Sequence, residues 1–276
     1  MISNIYTGAT NGIEGFKISV ETDTISGLPN VIIVGLPDAA VSEAKERIRS
    51  AIKNSGYMFP MKRVIINLAP ADVRKEGTGF DLPMAVGVLL AGGEVMSNNL
   101  DDTAFIGELS LDGDLRPVNG VLPTVLGLME AGIKKVVVPY ANAGEAALAG
   151  DIEVYGVKNL AEVVNFLNPS AISDFNIKPY KVDISNYLAQ HPENTAVYDF
   201  KDVKGQEKAK RAMEIAAAGG HNMLMAGSPG SGKTLLAKCF SSILPPLEYS
   251  EAIELTKIYS ISGLLEKDRP LMNVRP

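Results

Sequence analysis

The first 168 residues alternate between short apolar runs and longer stretches in which apolar positions recur at helical spacing. Residues 30–36 and 63–70 are apolar runs of the length typical of buried strands. Between them, Pro37 and Asp38 are typical of a helix start, and Gly56 is typical of a helix end. The apolar face of this predicted helix consists of Val41, Ala44, Ile48, Ala51 and Ile52.

The same alternation continues to residue 168. Residues 81–93 predict a buried helix, and residues 103–118 predict a hairpin that turns at Asp112 and Gly113. The remaining predicted elements are a helix at 120–131, a strand at 135–138, a short helix at 141–149, a strand at 153–156 and a helix at 160–167. This mixture predicts an α/β domain with both hairpin and crossover connections.

A second unit is predicted beyond a stretch rich in proline and polar residues, which is typical of a linker. The elements predicted in this unit are a helix at 205–220, a strand at 222–227 and a helix at 233–244. The sequence therefore predicts three regions, with bounds at 1–168 for the first domain, 169–197 for the linker and 198–276 for the second domain.

Residues 223–234, MLMAGSPGSGKT, carry the pattern G-x-x-x-x-G-K-[ST] between a predicted strand and a predicted helix. Glycines allow the backbone N–H groups of such a loop to surround phosphate oxygens, and the helix N-terminus adds positive partial charge. Lys233 can reach the β- and γ-phosphates, and the Thr234 hydroxyl can coordinate Mg²⁺. A glycine-rich turn without a ligand is the alternative. The residues expected to bind nucleotide are Gly227, Ser228, Pro229, Gly230, Ser231, Gly232, Lys233 and Thr234.

The net charge of −6 is unevenly distributed, since residues 199–276 sum to +2 and the rest to −8. The acidic part argues against a broad nucleic-acid surface there. A basic cluster could contact DNA phosphate, but interspersed acidic residues favour a solvated helix face. It consists of Lys201, Lys204, Lys208, Lys210 and Arg211.

One cysteine, Cys239, permits no intrachain disulfide, and we expect it to be a small buried packing residue. No apolar run reaches the roughly 20 residues of a membrane span, and no signal peptide is predicted. A cytoplasmic location without a membrane partner is therefore expected. His221 is expected to be packed or capped at a strand edge rather than catalytic, and His191 to be solvated in the linker.

The stretch VKGQEKAKRAMEIAAAGGHNMLMAGSPGSGKT resembles the start of an AAA+ module of the magnesium-chelatase-like group, and more narrowly the ComM/YifB family of bacteria. NVIIVGLPDAAVSEAKERIRSAI and FIGELSLDGDLRPVNGVLP resemble signature stretches of the same family. The resemblance implies an N-terminal Lon-protease-like domain of the ribosomal-protein-S5 type, followed by the first part of a P-loop AAA+ domain. It also implies ATP and Mg²⁺ as cofactors, a hexamer, DNA branch migration, and Gly205 and Gln206 near the adenine and ribose.

Lon-type proteases use a serine nucleophile and a lysine base. The stretch KEGTGFDLPMAV, where the serine is expected, contains Thr78 as its only hydroxyl residue, and Leu122 or Pro123 stands where the lysine is expected. We therefore predict that this domain is proteolytically inactive. It is expected to serve as an oligomerisation or substrate-facing scaffold.

ATP hydrolysis in this class needs an acidic pair on a later strand, a polar sensor and a neighbour's arginine. Glu248, Glu251 and Glu254 are predicted on one helix and are expected to be surface carboxylates rather than metal ligands. The family continues past RPLMNVRP, so the chain is expected to be a fragment that does not turn over ATP. The alternatives to a DNA motor are a chelatase-type ATPase that remodels a protein partner for metal insertion, and a protease, which the missing dyad disfavours.

Overall fold

A computed structural model describes residues 2–97, 100–168, 177–182, 198–266 and 269–275. These residues form two compact units, Met1–Val182 with Thr256–Pro270, and Asp183–Leu255 with Leu271–Pro276. Most of the predicted linker, including His191, lies outside the described residues. The sequence division at residues 168 and 198 did not assign Thr256–Pro270 to the first unit.

The first unit contains nine strands among its described residues. They are β1 (Ser3–Asn11), β2 (Glu14–Ile25), β3 (Asn30–Val34), β4 (Arg63–Ala69), β5 (Thr103–Phe105), β6 (Glu108–Leu109), β7 (Leu115–Arg116), β8 (Lys135–Pro139) and β9 (Glu153–Val157). Seven of them form one sheet in the order β3-β4-β2-β1-β5-β8-β9. The pairs of β2 with β1 and with β4 are antiparallel, and the other four pairs are parallel.

The helices of the first unit are α1 (Ala39–Asn54), α2 (Asp81–Gly92), α3 (Val121–Glu130), α4 (Ala143–Ala146) and α5 (Leu160–Leu167). The face predicted for α1 is confirmed, because Val41, Ala44, Ile48, Ala51 and Ile52 are all buried. Asp38 caps this helix by accepting a hydrogen bond from the Val41 N–H at 2.8 Å. Short 3-10 turns flank α4, so the helix predicted at 141–149 is interrupted.

Helices cover both faces of the sheet at its centre. A Cβ added to Gly87 of α2 would lie 2.5 Å from the Oγ1 of Thr22, so this helix packs directly on β2. A Cβ added to Gly15 would lie 2.0 Å from the carbonyl oxygen of Pro123 in α3. Glycines at these contacts allow the helices to approach the strands closely.

The hairpin of β1 and β2 was not among the predicted elements. Asn11 pairs with Glu14, so the two-residue turn consists of Gly12 and Ile13, and the positive φ of Gly12, 60°, suits the first position of such a turn. Ile18, Val20 and Thr22 alternate with more exposed residues and are buried, which is the period of a strand with one face in the core. This periodicity is the signal that could have predicted the hairpin.

The hairpin predicted at residues 103–118 is only partly correct. Its second half pairs as expected, with Glu108 opposite Arg116 and the turn at residues 110–114. Its first residues, Thr103–Phe105, instead form β5 and pair in parallel with β8 of the large sheet. A run as short as TAF carries too few positions to distinguish these two partners from sequence.

The described part of the second unit contains α6 (Glu207–Gly219), α7 (Lys233–Phe240) and the beginning of α8 (Tyr249–Ile261). The strand predicted at residues 222–227 is wrong, because these residues have no regular secondary structure and Leu224 is 94% exposed. A strand is stabilised by pairing with a neighbour. All the described strands belong to the first unit, so no partner strand is described in the second.

Candidate nucleotide-binding loop

The glycine loop of residues 227–234 leads directly into α7. Gly230 and Gly232 have φ values of 79° and 84°, a backbone conformation that side-chain-bearing residues rarely adopt. A Cβ added at either position would meet nothing within 4 Å. The backbone conformation, and not a lack of space, is therefore what requires glycine in this loop.

Lys233, the first residue of α7, folds its amine back over the loop. Its Nζ donates to the carbonyl oxygens of Gly227 at 2.9 Å and Ser228 at 2.8 Å, and lies 3.2 Å from the Oγ of Ser231. A positive charge at a helix N-terminus is unfavourable with respect to the helix dipole. These oxygens offset that cost, and an anion bound at the loop would do so more strongly.

The other loop residues are open to solvent. Ser228, Pro229 and Thr234 are exposed, and no side chain caps the N-terminus of α7. The buried side chains of Leu236 and Cys239 hold α7 against Met213 and Val203. The burial expected for Cys239 is thereby confirmed, and burial raises the pKa of its thiol. The loop therefore presents an exposed backbone and the Thr234 hydroxyl at the start of a helix that is held by its buried face.

Gly205 and Gln206 form the turn that begins α6. Both have positive φ values, 67° for Gly205 and 61° for Gln206, and both are exposed. The carbonyl oxygen of Gln206 accepts a hydrogen bond from the Lys210 N–H at 2.9 Å. Their proximity to the adenine and ribose stays a prediction.

Three of the five residues of the basic cluster have partners within the second unit. Lys201 pairs with Asp199 at 2.9 Å, and Arg211 pairs with Glu214 at 2.9 Å. The amine of Lys210 lies 6.0 Å from the ring centroid of Phe200. These contacts favour the solvated helix face over a phosphate-binding surface.

The start of α2 is the place where the Lon resemblance locates the serine. Asp81, its first residue, is buried and accepts two hydrogen bonds from Arg47, at 2.8 and 3.0 Å. The Leu109 N–H donates to the same carboxylate at 3.2 Å. Burial raises the pKa of Asp81, while Arg47 and the Leu109 N–H act in the opposite direction. Thr78 lies in the preceding turn and accepts from the Asp81 N–H through its carbonyl oxygen.

The start of α3 is the place where the lysine base was expected. The residues there have apolar side chains, which cannot act as a base. Leu122 and Pro123 are buried, and the Leu122 N–H donates to Glu145 at 2.8 Å. Among the described residues the buried lysine is Lys75, whose amine donates to the carbonyl oxygen of Pro70. Proteolytic inactivity stays a prediction, which these positions support.

Sequence reasoning missed two buried carboxylates, Asp81 and Glu145. Each is an acidic residue within an otherwise apolar or small-residue helical stretch, and this is the signal that could have found them. Glu248, Glu251 and Glu254 are all exposed. No helix in the described part of the chain is long and apolar enough to cross a membrane.

Comparisons with known proteins agree on one family. A family model described as subunit ChlI of Mg-chelatase matches residues 20–142, and a second, described as magnesium chelatase, subunit ChlI, matches residues 199–276. The α/β domain and the glycine loop with its helix are thus of the class that includes subunit ChlI of magnesium chelatase.

Individual relatives indicate which family within this class the chain resembles. The chain is 38% identical over 257 residues to "Competence protein ComM" of Haemophilus influenzae, covering 93% of this chain and 49% of that protein. It is 40% identical over 260 residues to "Uncharacterized protein YifB" of Escherichia coli, covering 94% and 49%. The chain is also similar to "Lon protease 2" of Bacillus subtilis, with 30% identity over 143 residues, covering 51% of this chain and 25% of that protein.

The chain belongs to the ComM/YifB family of magnesium-chelatase-like proteins. It spans about half the length of these curated relatives. Its fold is an N-terminal Lon-like α/β domain followed by the first part of an AAA+ domain.

Proposed function

We propose that the glycine loop binds ATP with Mg²⁺ and that the full-length protein is an ATP-driven remodelling motor. The observation that carries the proposal is the amine of Lys233, held by two carbonyl oxygens and one hydroxyl at the open N-terminus of α7. Phosphate oxygens can replace these acceptors with a stronger, charge-assisted interaction. Thr234 follows on the exposed first turn, where its hydroxyl can coordinate the metal ion.

A binding measurement on this chain tests the first part of the proposal. We expect Mg²⁺-ATP to bind, and Lys233→Ala to weaken binding by roughly ten- to a hundredfold, because a hydrogen bond to a charged group is lost. Lys238→Ala is the matched control, since Lys238 lies on the same helix but faces the Tyr198 ring at 4.9 Å. Equal affinity in all three proteins would show that the loop is not the nucleotide site.

The motor's substrate is proposed to be DNA, remodelled by a cytoplasmic hexamer during recombination or transformation. The support is the 38% identity to a protein named for competence. The described basic cluster is largely engaged with neighbouring side chains, so it adds little to this part of the proposal. The N-terminal domain is proposed to act as a scaffold rather than a protease.

The second candidate is an ATPase that remodels a protein partner for metal insertion. Its support is the name of the two matching family models, subunit ChlI of magnesium chelatase. Proteolysis is disfavoured, because the expected serine and lysine positions hold other residues.

Phosphate release by the full-length protein separates these candidates. The rate would be recorded with Mg²⁺-ATP alone, with single-stranded DNA and with a branched junction, and Lys233→Ala would be measured in parallel. A rate that DNA raises and the variant abolishes would support the DNA motor. A rate that no DNA changes would favour remodelling of a protein partner, and casein cleavage would restore the protease alternative.

A further inference from the structure

A buried carboxylate in the first unit receives hydrogen bonds from two distant parts of the chain. Glu145 of α4 is only 7% exposed. Its Oε1 accepts from the Leu122 N–H at 2.8 Å and from the hydroxyl of Ser260 at 2.5 Å. Ser260 lies 115 positions later in the chain, near the end of α8.

The groups around Glu145 also form hydrogen bonds with one another that do not involve Ser260. Asn142 exchanges two hydrogen bonds with Val118, donating to its carbonyl oxygen at 2.9 Å and accepting from its N–H at 3.0 Å. Its amide also lies 3.3 Å from the second oxygen of Glu145. The loop of residues 118–122 and the turn of residues 142–145 therefore form one hydrogen-bonded surface within the first unit.

The end of α8 contacts this surface through its backbone as well as its side chain. The carbonyl oxygen of Ser260 accepts from the Gly120 N–H at 3.2 Å. Ser260 is 3% exposed and Thr256, one helical turn earlier, is fully buried. Between them, the amine of Lys257 lies 3.7 Å from the carboxylate of Glu14.

We propose that residues 118–122 with Asn142 and Glu145 are a docking site of the first unit, and that its occupant is residues 256–263 of the same chain. Ser260 is the recognition residue, because it supplies both a donor to Glu145 and an acceptor to Gly120. The first unit is then a discontinuous domain, completed by residues that follow the glycine loop in sequence. This inference is independent of what the glycine loop binds.

The physical reason for specificity is the cost of an incompletely bonded buried carboxylate. Replacing Ser260 by alanine removes one hydrogen-bond donor from the Glu145 carboxylate. Water has little access to a residue that is 7% exposed, so it cannot replace that donor. Replacing Ser262 by alanine is expected to cost little stability by comparison. Ser262 is exposed and donates to the Ile258 carbonyl oxygen of its own helix at 2.8 Å.

Amide hydrogen exchange on the 276-residue chain tests the proposal. We expect residues 256–263 to be protected, and Ser260→Ala to raise their exchange rate by roughly tenfold or more. Ser262→Ala should leave that rate within about twofold of the wild-type value. Exchange of residues 256–263 at the rate of an unprotected peptide in the wild type, or equal effects of the two substitutions, would overturn the proposal.

A second variant covers the case in which Ser260→Ala unfolds the whole first unit. Ser260→Cys keeps a similar volume and a weak donor. We expect exchange between the wild-type and alanine rates at residues 256–263, with residues 81–92 of α2 as protected as in the wild type. An exchange rate in Ser260→Cys equal to that of the wild type would also contradict the assigned role of the hydroxyl.

Discussion

The starts of α2 and α7 are built from similar sequences and have opposite characters. In both, a glycine-containing turn leads into a helix whose first residue is charged, Asp81 in α2 and Lys233 in α7. Asp81 is buried and its carboxylate is satisfied by Arg47 and a backbone N–H. Lys233 has only loop oxygens as acceptors among the described contacts, and its turn is exposed.

The difference shows how the sign of one charge and the presence of a partner decide what a helix N-terminus can do. A carboxylate is favourable at the positive end of the helix dipole. Because Asp81 also pairs with Arg47, the start of α2 does not need a bound ligand to balance its charge. A lysine is unfavourable there, and a bound anion offsets that cost more strongly than the loop oxygens do. One helix start therefore stabilises the first unit, and the other is available for phosphate.

The largest expected effect comes from removing Arg47, the ion-pair partner of Asp81 at the start of α2. Arg47→Ala leaves the Asp81 carboxylate buried without its ion-pair partner, and breaking a buried pair in this way costs about 3–5 kcal/mol of unfolding free energy. Urea denaturation followed by circular dichroism would measure the loss. Lys45→Ala is the control, because Lys45 is exposed on the same helix. Equal stability of the two variants would contradict a stabilising role for the pair.

The pH dependence of that variant sharpens the same comparison. Burial raises the pKa of Asp81 above its usual 3.8, and without Arg47 the pKa should rise further. A carboxyl group whose pKa is raised on folding favours the folded state at low pH and loses that contribution as pH rises through the folded pKa. The stability gap between wild type and Arg47→Ala should therefore widen between pH 4 and pH 7. A gap that narrows over this range in denaturation curves would show that Asp81 is not the group responsible.

An intermediate effect is expected at the second residue of the α7 start. Thr234→Ala removes the hydroxyl proposed to coordinate Mg²⁺, so ATP affinity measured with Mg²⁺ should fall roughly tenfold. Affinity measured with EDTA should not change. Thr234→Ser keeps the hydroxyl and should behave like the wild type under both conditions. A loss of affinity that is the same with and without Mg²⁺ would rule out metal coordination.

The smallest expected effect concerns the glycine before each helix. Gly232 has a φ of 84°, so Gly232→Ala should cost about 1 kcal/mol through backbone strain alone and weaken ATP binding several-fold. A Cβ at Gly79, before α2, would make only an ordinary contact at 3.7 Å with Ile106, and Gly79→Ala should be close to neutral. Calorimetric unfolding and ATP titration of both variants would measure the contrast, which would be lost if both alanines cost the same.

Local patterns predicted most of the first unit because its helices and strands have strong apolar periodicity. The buried face of α1 and the bounds of α2 follow from residues close together in sequence. The strand expected at residues 222–227 fails for the opposite reason, since an apolar run does not specify its partner. The hairpin predicted at residues 103–118 is wrong at its start for the same reason, because the sequence of β5 does not specify that it pairs with β8.

The sequence by itself determined the glycine loop and the residue types that could hold a phosphate there, because that chemistry lies within eight consecutive positions. It also determined the family, through motifs spread over the chain. Only the tertiary structure decided that Asp81 meets Arg47, 34 positions away, and that Ser260 meets Glu145, 115 positions away. Buried charges take their roles from partners brought together by folding, and no local pattern in the chain specifies which partners those are.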